Sequence, residues 1–179
     1  MLKTSDLGVK EVTKKEIKNY YESGCKGKIS TLKIGLEYER LPIFEVTGKN
    51  TDYSGEFGIC NLLRRYAREE NWDYITDDYN IIGLKQAHNT ITLEPGCQFE
   101  YSLEPRENIS EIEAEIKRLD LPLEEITEEF GIKLLNYGVS PLVTYRAINL
   151  IPKHRYKIMA KYLWGILSDV MMRETAGFQ

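Results

Sequence analysis

Two stretches carry side chains whose types and spacing could do chemistry: residues 33–39, KIGLEYE, and residues 91–100, ITLEPGCQFE. Successive strand residues alternate faces, so Glu37 and Glu39 point one way, and Gln98 and Glu100 likewise share a side of theirs. Carboxylates aligned in this manner repel one another unless a cation sits between them, because close like charges disfavour joint ionisation. Hard oxygen donors without clustered His or Cys suit Mg²⁺ or Mn²⁺ better than zinc. The pattern therefore predicts a magnesium–nucleotide site on the face of an antiparallel sheet.

The elements that must position these residues follow from periodicity. Residues 33–40 form a first strand with Ile34, Leu36 and Tyr38 on an apolar face and Gly35, Glu37 and Glu39 on an acidic one. Pro42 bends it or ends it, and residues 43–46 continue the sheet. Residues 54–71 carry a helical repeat through Phe57, Cys60, Leu63 and Tyr66. Three short strands follow, 72–76, 79–85 and 89–93, joined by turns at Asp77-Asp78 and at 86–88. Pro95-Gly96 bends the chain at the site, Gly96 supplying a backbone conformation that other residues avoid. Extended structure resumes over 98–103.

Residues 108–130 make the longest helix, opened by a capping box from Ser110 to Glu113 and kinked or split by Pro122. A strand over 132–139, a helix over 152–165 and a last strand over 170–179 complete an α+β unit spanning residues 1–179. Ahead of it all, residues 13–23 read as a short, charged helix between a Thr13 cap and a Gly24 stop.

A chain of 179 residues can bury a sizeable core, and 42% hydrophobic with 29% charged residues is an ordinary globular composition. A formal charge of −4, with no Lys/Arg-rich run, argues against nucleic-acid partners. No apolar run is long enough to span a bilayer, and the charged first residues lack a secretory core. Cys25, Cys60 and Cys97, widely spaced, fit a reduced cytoplasm better than a disulfide framework. Cys97 is expected to be an inert, partly buried thiol, and His88 and His154 to be surface residues. Trp72 and Trp164 read as packing, and Met171 and Met172 as core residues or substrate contacts.

The run from Gly83 to Glu100 closely resembles the glutamate–cysteine ligases of the plant and proteobacterial type. In the same order come Gly35-Leu36-Glu37-Tyr38-Glu39, then Ile151-Pro152-Lys153-His154-Arg155-Tyr156-Lys157-Ile158-Met159, then Met171-Met172 leading to Thr175 and Gln179. The resemblance implies a glutamine synthetase-like fold, a curved antiparallel sheet with helices on its outer face. It implies ATP-dependent phosphorylation of the γ-carboxylate of glutamate, followed by attack of the amine of cysteine, on the way to glutathione or another thiol. By position, Glu37, Glu39, Glu94 and Glu100 fall as metal-binding carboxylates, and Gln179 as a further polar site residue. Gln98 falls beside them as a nucleotide-side contact, with a bond to backbone at the Pro-Gly bend as its other reading. Arg155 falls where it would hold the α-carboxylate of glutamate or a phosphate, with Arg146 helping from one register away. Cys97 stands where the family usually has a second glycine, and Tyr38 where plant members have histidine. The resemblance also implies a protein about twice this long, so that the chain reads as a first half that needs a C-terminal half or a second copy. Alone, it would show little or no ligase activity. Two other readings stay open: a ligase with another amine acceptor, and a non-catalytic piece that binds metal or a partner.

Overall fold

Alternation of small polar and large apolar residues builds the sheet. In β4 (Asn89–Leu93), Ile91 and Leu93 are buried while Thr90 and Thr92 are half-exposed. In β5 (Phe99–Ser102), Phe99 and Tyr101 are buried while Glu100 and Ser102 are half-exposed. The computed structural model describes residues 12–25, 27, 32–163, 165 and 167–179. The chain falls into two units, residues 1–32 and 33–179.

In the first unit, α1 (Lys14–Ser23) starts at a capping box: Thr13 Oγ1 accepts from the Glu16 amide, and the Thr13 amide donates to Glu16 Oε2. Gly24 ends it, and none of its residues is buried.

In the second unit, β1 (Glu37–Phe44), β2 (Asp73–Asp77), β3 (Asn80–Gln86), β4, β5 and β6 (Ile132–Leu135) form an antiparallel sheet in the order β2-β3-β4-β5-β1-β6. β1 runs on through Pro42 because it changes partner there. Its first half, Glu37 to Arg40, pairs with β5, and its second half, Leu41 to Phe44, pairs with β6. The buried side is packed by α2 (Ile59–Glu70) and α3 (Ile109–Glu129). Tyr66 of α2 donates its hydroxyl to the Leu119 carbonyl of α3 at 3.1 Å. Arg40 is buried on this side, its Nη2 2.9 Å from Asp120 Oδ1. Its guanidinium lies 5.0 Å from the Tyr38 ring and 4.7 Å from that of Tyr101, so the charge is both paired and flanked by aromatic faces.

Several boundaries differ from expectation for identifiable reasons. α2 begins at Gly58, because the residues before it fold into turns whose carbonyls, Asp52 and Tyr53, receive the Ile59 and Cys60 amides. α3 is capped by Asn108, whose side chain accepts from the Glu111 amide, two residues ahead of the anticipated Ser110 box. It also runs unbroken through Pro122, at the cost of one amide donor. β6 ends at Leu135. Helix α4 (His154–Tyr162) falls inside its expected span, and Trp164 lies outside the described residues.

The first half of the expected final strand is helix. α5 (Leu167–Glu174) occupies it, and only the last residues are extended. There the Glu37 and Gln179 amides exchange hydrogen bonds with each other's carbonyls at 2.9 Å, and the Glu39 amide donates to Gly177 O at 2.9 Å. The apolar spacing in this stretch serves both periods, and its length of eight residues did not separate them.

The turn between β4 and β5 also revises an expectation. The Cys97 amide donates to the Glu94 carbonyl at 3.0 Å, and the Glu94 amide to Gln98 O at 2.9 Å. This is a three-residue hairpin whose last position is left-handed, a place that glycine ordinarily fills. Here it is Cys97, with φ of 69°. Gly96 has an ordinary φ and is needed for space: a Cβ there would lie 2.6 Å from the Arg173 carbonyl oxygen and 2.8 Å from Ile148 Cγ2. We expect Gly96→Ala to cost about 2–3 kcal/mol by overpacking. The checks are a lower urea midpoint and faster amide exchange in residues 172–179, beyond that of a surface Gly→Ala control.

Candidate functional site

Strand register brings the acidic residues together. Glu39 stands directly opposite Glu100 across the β1–β5 pair, and Glu100 opposite Thr92 across β4–β5. On the far side of β1, Gly177 pairs with Glu39, and Gln179 with Glu37. Directly opposed residues share a face, so two rows cross the sheet: Gly177, Glu39, Glu100, Thr92 and Gly83, and beside it Gln179, Glu37, Ser102, Thr90 and Lys85. Glu94 follows Thr92 by two residues and joins the same face. Glu37 and Glu100 therefore lie on one side of the sheet, the side away from α2 and α3.

Each of three carboxylates is oriented by one protein donor. The Gly177 amide donates to Glu39 Oε2 at 2.7 Å, Ser102 Oγ to Glu100 Oε1 at 2.7 Å, and Tyr156 Oη to Glu94 Oε1 at 2.8 Å. Burial raises the pKa of Glu39, and the charges of Glu94, Glu100 and Glu37 raise it further against the Gly177 hydrogen bond. Burial likewise raises that of Glu94, with Glu100 adding to it and Tyr156, Lys153 and Arg155 opposing. Among the described residues, no three His, Cys, Asp or Glu side chains lie close enough to enclose an ion as they stand. What the face offers is a set of hard, mutually repelling oxygens, which is the donor chemistry that Mg²⁺ and Mn²⁺ prefer.

The remaining anticipated residues divide. Gln179 points onto this face, since a Cβ on Gly177 would lie 3.3 Å from Gln179 Nε2 and 3.8 Å from Glu39 Oε2. Arg155, in the first turn of α4, is exposed, with its guanidinium 5.3 Å from the Tyr156 ring centroid and its charge felt at Glu94. Arg146 is exposed in a single 3-10 turn (Tyr145–Ala147), where its Nε donates to Tyr145 Oη at 3.2 Å.

Gln98 has a different task from the nucleotide contact expected of it. It is 2% exposed. Its Oε1 accepts from the Gly96 amide, and its Nε2 donates to Met172 O at 3.2 Å and Thr175 O at 2.8 Å. The amide is spent on main chain and ties the turn to α5.

Sequence reasoning gave Lys153, Tyr156 and Ser102 no role at the site, though the first two lie within the quoted 151–159 motif. A lysine three residues before a tyrosine, just where a helix begins, was the available signal. Cys97, 1% exposed, has its thiol pushed up to about 12 by burial, with Asp52 adding to it, and is inert as expected. His88 and His154 are exposed as expected, Trp72 is buried, Met171 is exposed and Met172 half-exposed, so neither methionine is a core residue.

An acidic antiparallel sheet face opposite a helix layer is a platform suited to gathering divalent cations and the phosphates they carry. Residues 33–178 match the model of Glutamate-cysteine ligase family 2 (GCS2), and the chain belongs to that family. It is 35% identical over 170 residues to the chloroplastic glutamate–cysteine ligase of Medicago truncatula, covering 93% of this chain and 33% of that protein. It is 36% identical over 165 residues to chloroplastic glutamate–cysteine ligase B of Oryza sativa subsp. japonica, covering 90% and 32%. With the chloroplastic enzyme of Arabidopsis thaliana it shares 33% identity over 175 residues, covering 97% and 33%. The chain thus spans about a third of the length of these relatives, where the resemblance alone had implied a half. Their names also overturn the cytoplasmic expectation, since all three are chloroplastic. Unpaired cysteines report a reducing compartment and cannot say which one.

The raised carboxylates set a pH dependence. A carboxylate whose folded pKa lies above its unfolded value binds more protons when folded. Its stabilising contribution is therefore complete below the usual carboxylate range and is lost as pH rises through the raised value. Glu39→Gln keeps an acceptor for Gly177 and removes one of two opposed like charges. It should stabilise the chain by a few tenths to about 1 kcal/mol at pH 7, with the gain vanishing below about pH 4. Urea melts at the two pH values check it.

Proposed function

We propose that this chain supplies the metal- and nucleotide-handling face of an ATP-dependent ligase that joins the γ-carboxylate of glutamate to the amine of cysteine. The observation that carries the reading is the direct opposition of Glu39 and Glu100 across β1 and β5, with Glu37, Glu94 and Gln179 on the same face. Family membership supports it, as does the name glutamate–cysteine ligase on each relative.

The physical problem in such a reaction is charge. A nucleotide polyphosphate and an attacking carboxylate are both anions, and in-line transfer requires them to approach. Glu37, Glu39, Glu94 and Glu100 would hold divalent cations, which would supply that neutralisation and alignment. Glu39 is kept in place by the Gly177 amide, Glu100 by Ser102 and Glu94 by Tyr156, each through one oxygen, and these side chains would draw together around an arriving cation. Arg155 holds the glutamate α-carboxylate or a phosphate oxygen, and Gln179 adds a neutral amide at the edge of the acidic rows. Arg146, on its exposed turn, serves the same anionic substrate from further out. The product is γ-glutamylcysteine.

Calorimetric titration of ATP onto the chain, with and without Mg²⁺, tests the central point. Binding should require the cation and weaken about tenfold or more in Glu100→Gln. Equal binding without a divalent ion would remove the role given to the acidic face. ADP release measured with glutamate and a panel of amino-acid acceptors tests the substrate assignment, which cysteine-independent turnover would reject.

A further inference from the structure

We propose that Lys153 is a positioning residue for Glu94, acting through the hydroxyl of Tyr156 rather than on a substrate. The proposal rests on the reading of Glu94 as a cation ligand and adds the device that aims it.

Lys153 Nζ lies 3.1 Å from Tyr156 Oη, and Tyr156 Oη lies 2.8 Å from Glu94 Oε1. An ammonium group can only donate, so the Tyr156 oxygen is the acceptor of the first bond. The hydroxyl then has one proton and two acceptors in reach, Glu94 Oε1 at 2.8 Å and the Leu93 carbonyl at 3.4 Å. The nearer, charged oxygen takes it. Donation from Lys153 polarises that hydroxyl and strengthens its bond to the carboxylate. One oxygen of Glu94 is thereby fixed, which orients the carboxylate toward the acidic face.

Both ends of this chain are anchored. Tyr156 is fully buried. The amide of Ile151 donates to the Pro95 carbonyl at 3.1 Å, joining the segment before α4 to the turn that carries Glu94. Asp77, at the tip of the β2–β3 hairpin, accepts from the His154 amide, and Asn80 Nδ2 lies 3.4 Å from Pro152 O. The hairpin therefore holds the start of α4, and with it Lys153, in place. Lys153 Nζ also lies 4.5 Å from the Tyr156 ring centroid, so the same aromatic ring supports its charge.

A double-substitution cycle read by Mn²⁺ binding, followed by electron paramagnetic resonance, tests this without any turnover. Lys153→Met and Tyr156→Phe should each weaken Mn²⁺ binding by about tenfold, as expected when an outer partner of a ligand is lost. Because they interrupt one chain, the double variant should be within about twofold of the weaker single one. Lys153→Arg, which keeps a donor, should restore most of the affinity. Circular dichroism checks that each variant folds, and Lys153→Gln takes the place of Lys153→Met if the latter does not. Unchanged binding in Lys153→Met, or losses that multiply in the double variant, would overturn the relay while leaving the metal reading intact. Failure of the unsubstituted chain to bind Mn²⁺ would instead reject the metal reading, and the relay with it.

Discussion

Two carboxylates directly opposite one another in a sheet are unfavourable, and this protein builds on that arrangement. Glu39 and Glu100 face each other because the opposite side of the same strands is committed to the core. Tyr101 and Phe99 of β5 are fully buried, and Arg40 of β1 is buried against Asp120. A slip of one residue in either strand would exchange these side chains for the glutamates. It would bury carboxylates among apolar side chains and strip Arg40 of its partner, and breaking such a buried pair costs about 3–5 kcal/mol. The like-charge repulsion, of order 1 kcal/mol across a strand pair, is too small to undo that. Register is held by the core, and the acidic face is a consequence that chemistry can use.

The β4–β5 turn shows the same economy in a smaller space. Gly96 must be small because the Arg173 carbonyl and Ile148 crowd it, and Gln98 turns inward to bond its amide and the end of α5. Cys97 takes the left-handed position, which for a residue with a Cβ costs about 1–2 kcal/mol. Burial of its side chain offsets part of this, since a small thiol packs as an apolar group. A glycine would meet no such cost here, because the hairpin requires a positive φ at this position.

What could be read in the sequence depended on how local its cause was. The alternation that sends Glu37 and Glu39 to one side is a property of a single strand, and it holds; Gln98 precedes β5 and turns inward. That Glu39 faces Glu100, rather than a residue two positions away, is set by pairing between strands some sixty residues apart. No local pattern encodes it. Residues 170–174, expected in a strand, lie in helix α5, and tertiary contacts decide. Among these are the backbone carbonyls of Met172 and Thr175 that Gln98 binds, and the Ile148 carbonyl 3.4 Å from Arg173 Nη1. Gln98 carried two readings for a related reason: an amide beside carboxylates resembles a ligand, one beside a Pro-Gly bend can bond backbone, and burial shows that its donors go to main chain.

The acidic face and the segment at residues 175–179 are not separate features. The Gly177 amide orients Glu39, the Gln179 backbone pairs with Glu37, and Gln98 secures the end of α5 to the turn that carries Glu94. Any change of charge at Glu39 is therefore felt at Gly177. Protonation weakens the hydrogen bond it accepts, because bonds to a charged acceptor are roughly twice as strong as neutral ones. On the function proposed above, a divalent cation held on this face would act in the opposite sense, keeping the carboxylates ionised while cancelling their repulsion. Holding the extended segment against β1 and holding such an ion would then favour the same state of Glu39, the ionised one.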